Sequence, residues 1–92
     1  MSAVRILIVE DQIIVARDEQ HILEVLGYNV VGAAATGEDA IMLAGTLQPD
    51  LVLMDIMLKG GMDGIEAACH IRERFDIPVI FVTAYADQAT LQ

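Results

Sequence analysis

One cysteine, two prolines, no tryptophan and only five lysines or arginines occur in these 92 residues. Each scarcity excludes something. A lone Cys69 forms no internal disulfide, so the chain reads as a protein of a reducing compartment, with Cys69 as a small buried hydrophobe. Five basic side chains stand against fourteen acidic ones, for a net charge of −9. That balance opposes a nucleic-acid or anionic-membrane surface and favours a cation or a basic partner. No apolar run is long. Ile6 to Val9 is closed at once by Glu10 and Asp11, and Ile77 to Val82 is broken by Pro78. A secretory leader needs a longer core and a membrane helix needs about 20 apolar residues, so a cytoplasmic chain is expected. No glycine-rich turn follows the first apolar run, which argues against a dinucleotide-binding site. No histidine–cysteine cluster suggests zinc. The apolar share of 55% nevertheless excludes a disordered chain. A domain of this size buries roughly 60–70% of its unfolded surface, enough for one core without staples.

Two kinds of segment alternate. Val4–Val9, Tyr28–Val31, Leu51–Met54 and Val79–Val82 are short, β-branched or continuously apolar runs. Such runs suit strands of a parallel sheet covered on both faces. Helical patterns lie between them. Residues 12–26 place Val15, Ile22 and Leu26 on one face with Leu23 beside it, although Asp18 and Glu19 interrupt the stripe; Gly27 suits the C-terminal cap. Thr36 can cap a second helix with Ala40, Ile41, Ala44 and Leu47 inward, stopped by Pro49. A third follows Gly64 and aligns Ile65, Ala68, Ile71 and Phe75; residues 86–92 look like the start of a fourth. This β-α order predicts an α/β fold, an open, doubly wound parallel sheet with right-handed crossovers. Ligands of such sheets sit at the carboxyl ends of the strands.

Those ends carry oxygen. The first strand delivers Glu10 and Asp11, the third Asp55, and the fourth Thr83. If the first and third strands are neighbours, three carboxylates and a hydroxyl converge. Two carboxylates 4 Å apart repel by about 1 kcal/mol in water and about 4 kcal/mol at a protein surface. A divalent cation removes that cost, and an oxygen-only set suits Mg²⁺ or Mn²⁺.

The pieces Ile6-Leu7-Ile8-Val9-Glu10-Asp11, Pro49 to Asp55, Met62-Asp63-Gly64 and Ile77 to Ala84 together resemble the receiver domains of response regulators in two-component signalling. The resemblance spans the whole chain as one domain, 1–92. It implies a flavodoxin-like sheet of strand order 2-1-3-4, with the family's fifth strand and last helix missing beyond Gln92. It implies that Asp55 accepts a phosphoryl group from a histidine kinase or phosphotransfer protein, to switch a downstream output. Mg²⁺ would be held by Glu10, Asp11, Asp55 and the backbone carbonyl of Met57. Thr83 would hydrogen-bond the phosphoryl group, with the Ala84 N–H beside it. An aspartyl phosphate adds about −2 of charge, which a mobile hydroxyl can convert into a population shift.

The chain departs from the family pattern in two places. The loop Ile56 to Gly64 has no proline after the phosphoacceptor and carries Gly60-Gly61 instead. The family's fifth-strand lysine is absent; Lys59 in the loop reads as a solvated charge, with a substitute phosphate contact as the sharper alternative. Tyr85 reads as a gate or packing residue. Ending at Gln92 would leave the fourth strand without a neighbour, so such a chain is expected to self-associate through its strand-four region or to be poorly stable. Two other functions compete. One is an interaction module that keeps the fold without phosphorylation. The other is a metal-dependent phosphohydrolase with Asp55 as nucleophile, disfavoured because no Asp-x-Asp motif follows the first strand. The receiver reading makes the chain a switch and not a turnover enzyme.

Overall fold

The computed structural model describes residues 3–58 and 60–82. Four strands and three helices alternate in it: β1 (Arg5–Val9), α1 (Ile13–Val25), β2 (Asn29–Ala34), α2 (Gly37–Leu47), β3 (Leu51–Asp55), α3 (Gly64–Phe75) and β4 (Val79–Val82). All pairings are parallel and the sheet order is β2-β1-β3-β4. The expected sheet is therefore the observed one.

Strand alternation divides β1 between two layers. Leu7 and Val9 join Val52 and Met54 of β3, Ala40 and Ala44 of α2, and Ala67 and Ile71 of α3 in one core cluster. Ile6 and Ile8, equally buried, lie outside that cluster, on the face that α1 packs against. Both faces of β1 are thus covered, which accounts for its unbroken apolar run. Helices α2 and α3 approach closely at small residues: a Cβ on Gly45 would sit 2.8 Å from the Phe75 ring.

The helix ends obey their local chemistry. Thr36 Oγ1 accepts a hydrogen bond from the Asp39 amide, 3.1 Å, and caps α2 as expected. Replacing Thr36 by Ala should cost about 1 kcal/mol in denaturant unfolding, without changing the m-value. At the other end of α2 the Arg5 guanidinium donates to the carbonyls of Leu47 and Gln48, each at 2.9 Å. The Asp50 carboxylate takes the Arg5 amide. Orphan carbonyls of the last turn are satisfied this way. Gly27, with φ +97°, ends α1 in the left-handed conformation that glycine accepts without strain.

Four details correct the sequence reading. Strand β2 runs to Ala34, three residues past Val31, because pairing with β1 continues to Val9–Ala34 despite the low strand propensity of Gly32-Ala33-Ala34. In α1, Val15 and Leu23 are half-buried, but Ile22 and Leu26 are 56% and 66% exposed. The covered stripe runs through Val15, Glu19 and Leu23; the apolar arc extends past it on a side that no described element covers. In α3, Ile65 is 55% exposed, and Ala67 takes the inward place beside Ala68, Ile71 and Phe75. Cys69 is exposed and not buried, since Ala68 and Ile71 turn inward and leave position 69 on the outer arc. Among the described residues β4 lies at the sheet edge, with Ile80 51% and Phe81 42% exposed. No helix of the described residues is long and apolar enough to cross a membrane.

Candidate cation and phosphoacceptor site

Strands β1 and β3 are hydrogen-bonded neighbours in register from Ile6–Leu51 to Val9–Met54. The residues that follow this last pair therefore emerge side by side. Glu10 and Asp11 leave β1, and Asp55 ends β3. Each offers a carboxylate oxygen, and the three lie within 4.8 Å of one another. All three residues are half-buried. The three carboxylates that the sequence brings together if β1 and β3 are neighbours do meet; Thr83, the hydroxyl expected with them, lies outside the described residues.

Backbone contacts hold each arm of the site. The Glu10 amide donates to the Ala34 carbonyl at 2.9 Å, tying the β1 exit to the end of β2. Glu10 Oε2 accepts the Gln12 amide at 3.0 Å and so braces the start of α1, where Gln12 gives no side-chain cap. Asp55 Oδ1 accepts the Met57 amide at 3.0 Å, which closes a tight turn just beyond the strand. The Ile56 amide donates to the Val82 carbonyl. Leu58 is buried in the main core and Met62 packs against it, so the loop after Asp55 is pinned at two points.

The electrostatics follow from this crowding. Burial, partly offset by the Gln12 amide and reinforced by the Asp11 side chain and by the charges of Asp55 and Glu19, pushes the Glu10 carboxyl from its usual 4.5 up to about 7. Glu19 is raised as well, by burial first and then by Asp55. Burial first and neighbouring carboxylates second thus raise Glu10 and Glu19, and a cation among the carboxylates would offset the repulsive part. An all-carboxylate, hard-oxygen set fits Mg²⁺ and gives no place to a soft metal.

Glu19 is the site residue that sequence reading passed over. Its signal was the interruption of the α1 stripe by acids: position 19 is half-buried in α1, and its charge adds to the field that raises Glu10. Met57 is exposed on the loop, its side chain at the rim. Thr83, Ala84, Tyr85 and Lys59 lie outside the described residues. His21 is exposed and His70 half-buried on their helices. Beside Glu10 a groove of about 280 Å³ runs between α1 and the end of β2, walled by Ile13, Ala16 and Ala33–Ala35, with Arg17 and Gln20 at its polar edge.

Comparison with known proteins agrees with this arrangement. Residues 6–92 match the family model of the response regulator receiver domain. The chain is 40% identical over 87 residues to the phyllosphere-induced regulator PhyR of Methylorubrum extorquens, covering 94% of this chain and 33% of that protein. It is 37% identical over 84 residues to the transcriptional regulatory protein PdtaR of Mycobacterium tuberculosis, covering 91% of this chain and 40% of that one. Among solved structures, the signal receiver domain of a modulated diguanylate cyclase from Desulfovibrio desulfuricans G20 superposes with a TM-score of 0.84 at 38% identity, over 95% of this chain and 72% of that one. The response regulator PhyR from Brucella abortus gives 0.84 at 40% identity, over 95% and 36%. The chain thus spans about a third to two fifths of the curated relatives it matches. The family model spans nearly the whole chain and the sheet order agrees with the fold of the matched receiver domains: the chain belongs to the response regulator receiver domains, the signalling modules of two-component systems.

Proposed function

We propose that this domain is a phosphorylation switch in which Asp55 accepts a phosphoryl group from a histidine kinase or phosphotransfer protein. The observation that carries the reading is the meeting of three carboxylate oxygens within 4.8 Å at the ends of two adjacent parallel strands. Glu10, Asp11, Asp55 and the Met57 carbonyl would hold Mg²⁺, which supplies charge neutralisation for phosphoryl oxygens when bound.

The chain's own groups divide the remaining work. Oδ1 of Asp55 is occupied by the Met57 amide, which orients the carboxylate and leaves Oδ2 as the attacking oxygen. In-line attack forms the Oδ2–phosphorus bond as the phosphorus–nitrogen bond of a phosphohistidine donor breaks, and the leaving imidazole nitrogen takes up a proton. The step asks mainly for positioning, which the pinned loop provides. Thr83 would then hydrogen-bond the phosphoryl group and carry the change to β4.

Output rests with partners. PhyR from Bartonella quintana has been solved in complex with the anti-sigma factor NepR, and PdtaR is named a transcriptional regulatory protein. By analogy, the phosphorylated form of this domain would change its affinity for a protein partner or for a neighbouring output module.

Incubation with acetyl phosphate and Mg²⁺ tests the reading. One hydroxylamine-sensitive phosphoryl group per chain is expected, and a chelator should suppress it. Absence of label despite Mg²⁺ binding would instead favour a non-phosphorylating interaction module. Steady multiple turnover of a simple phosphate monoester would favour a phosphohydrolase.

A further inference from the structure

We infer that Gly64 is a positioning residue for Asp55: the missing side chain at the first position of α3 sets where the peptide of the phosphoacceptor sits. The inference rests on the reading of Asp55 as phosphoacceptor and deepens it. Gly64 is buried. A Cβ built on it would fall well inside contact distance of the Asp55 carbonyl oxygen, 3.2 Å from the Asp55 carbonyl carbon and 3.1 Å from Met54 Cγ. The main obstacle is backbone, so no side chain can swing aside to make room. Gly64 has no positive φ; what it supplies is close approach, not conformational freedom.

The rest of the loop turns this contact into a clasp. Asp63 caps α3 by accepting the Glu66 amide at 2.8 Å, which fixes the start of the helix against which Gly64 is measured. Pairing of Asp55 with Val82 fixes the strand side. The loop therefore enters at Asp55 and leaves at Gly64 with its two ends in direct contact. Met57, two residues from the clasp, both donates to Asp55 Oδ1 and would present its carbonyl to the cation. A methyl group at position 64 must drive the two backbones apart by about 1 Å, because a close-packed interior has no slack to absorb it. Displacements of that size at a reacting group cost on the order of 100-fold in rate. The neighbouring glycines serve as contrast. A Cβ on Gly61 meets only the Glu38 carboxylate at 3.8 Å.

The test compares the full chain with its Gly64→Ala and Gly61→Ala variants. Three readouts are used: hydrogen exchange of the Met57 amide without metal, Mg²⁺ affinity from amide chemical shifts, and the rate of labelling at saturating acetyl phosphate. For Gly64→Ala, faster exchange at Met57, weaker Mg²⁺ binding and labelling slowed by roughly ten- to 100-fold are expected. Gly61→Ala should match the wild type. Unchanged exchange, affinity and labelling in a folded Gly64→Ala variant would overturn the inference. If that variant does not fold, the wild type decides. The Gly64 resonances should then shift with the same Mg²⁺ midpoint as those of Met57, and their failure to move at saturation would overturn it. A wild type that neither binds Mg²⁺ nor takes label refutes the phosphoacceptor reading itself, whatever Gly64 does.

Discussion

Asp55→Asn should take phosphoryl labelling to background while leaving the fold intact. The asparagine carbonyl still accepts the Met57 amide, so the turn after β3 persists. The anionic oxygen proposed to attack phosphorus is gone. The same substitution removes one of the like charges that hold Glu10 and Glu19 up. In metal-free buffer near neutrality the variant should therefore melt at or above the wild-type temperature, by up to about 1 kcal/mol for relief of one carboxylate contact. Mg²⁺ should stabilise it less than it does the wild type. Mass spectrometry after acetyl phosphate treatment and paired thermal melts check both halves. Label retained on the variant would move the acceptor to another residue.

The second large effect expected is stabilisation of the domain by Mg²⁺, with a dependence on pH. Glu10 titrates near 4.5 when unfolded and at about 7 in the fold. Between those values the folded chain holds more protons than the unfolded one. Metal-free stability from this group is therefore complete below pH 4.5, falls as pH rises and is lost above about 7. Glu19 acts in the same direction. Mg²⁺ needs the deprotonated carboxylate, so its affinity should climb with pH up to about 7 and then level. At a concentration 100 times its Kd a ligand of the folded state adds about 2.7 kcal/mol, worth roughly 10–20 °C in Tm for a domain of this size. Melting curves at pH 5.5 and 8, with and without Mg²⁺, should show the larger increment at pH 8. In Glu10→Gln the metal-free pH slope should flatten. An Mg²⁺ increment equal at both pH values would show that Glu10 does not take part.

Much of this arrangement was legible in the chain because parallel sheets write themselves plainly. Four short β-branched or apolar runs gave the four strands, and the residues immediately after the first and third gave Glu10, Asp11 and Asp55. Thr36 and Gly27 marked helix ends for local reasons that tertiary contacts do not override. What stayed hidden depends on the third dimension. The apolar arc of α1 suggested Ile22 and Leu26 as inward residues, yet periodicity reports only that a face is apolar, not which element covers it. Ile65 failed for a related reason: α3 meets α2 where Phe75 faces Gly45 and Ala67 faces Gly37, which leaves position 65 on the outer side. The clamp of Arg5 on the last carbonyls of α2 joins residues over forty positions apart, which no local pattern encodes. Glu19 showed only as a flaw in a stripe.

The sheet order has a consequence for synthesis on the ribosome. The strand made first, β1, ends up in the centre, between the second and third to be made. A nascent chain can pair β1 with β2 early, but one long edge of β1 stays open until Leu51–Asp55 has left the exit tunnel. The acid pair after β1 thus exists long before its third member arrives. Assembly of the carboxylate trio therefore reports that the pairing of β1 with β3 has closed.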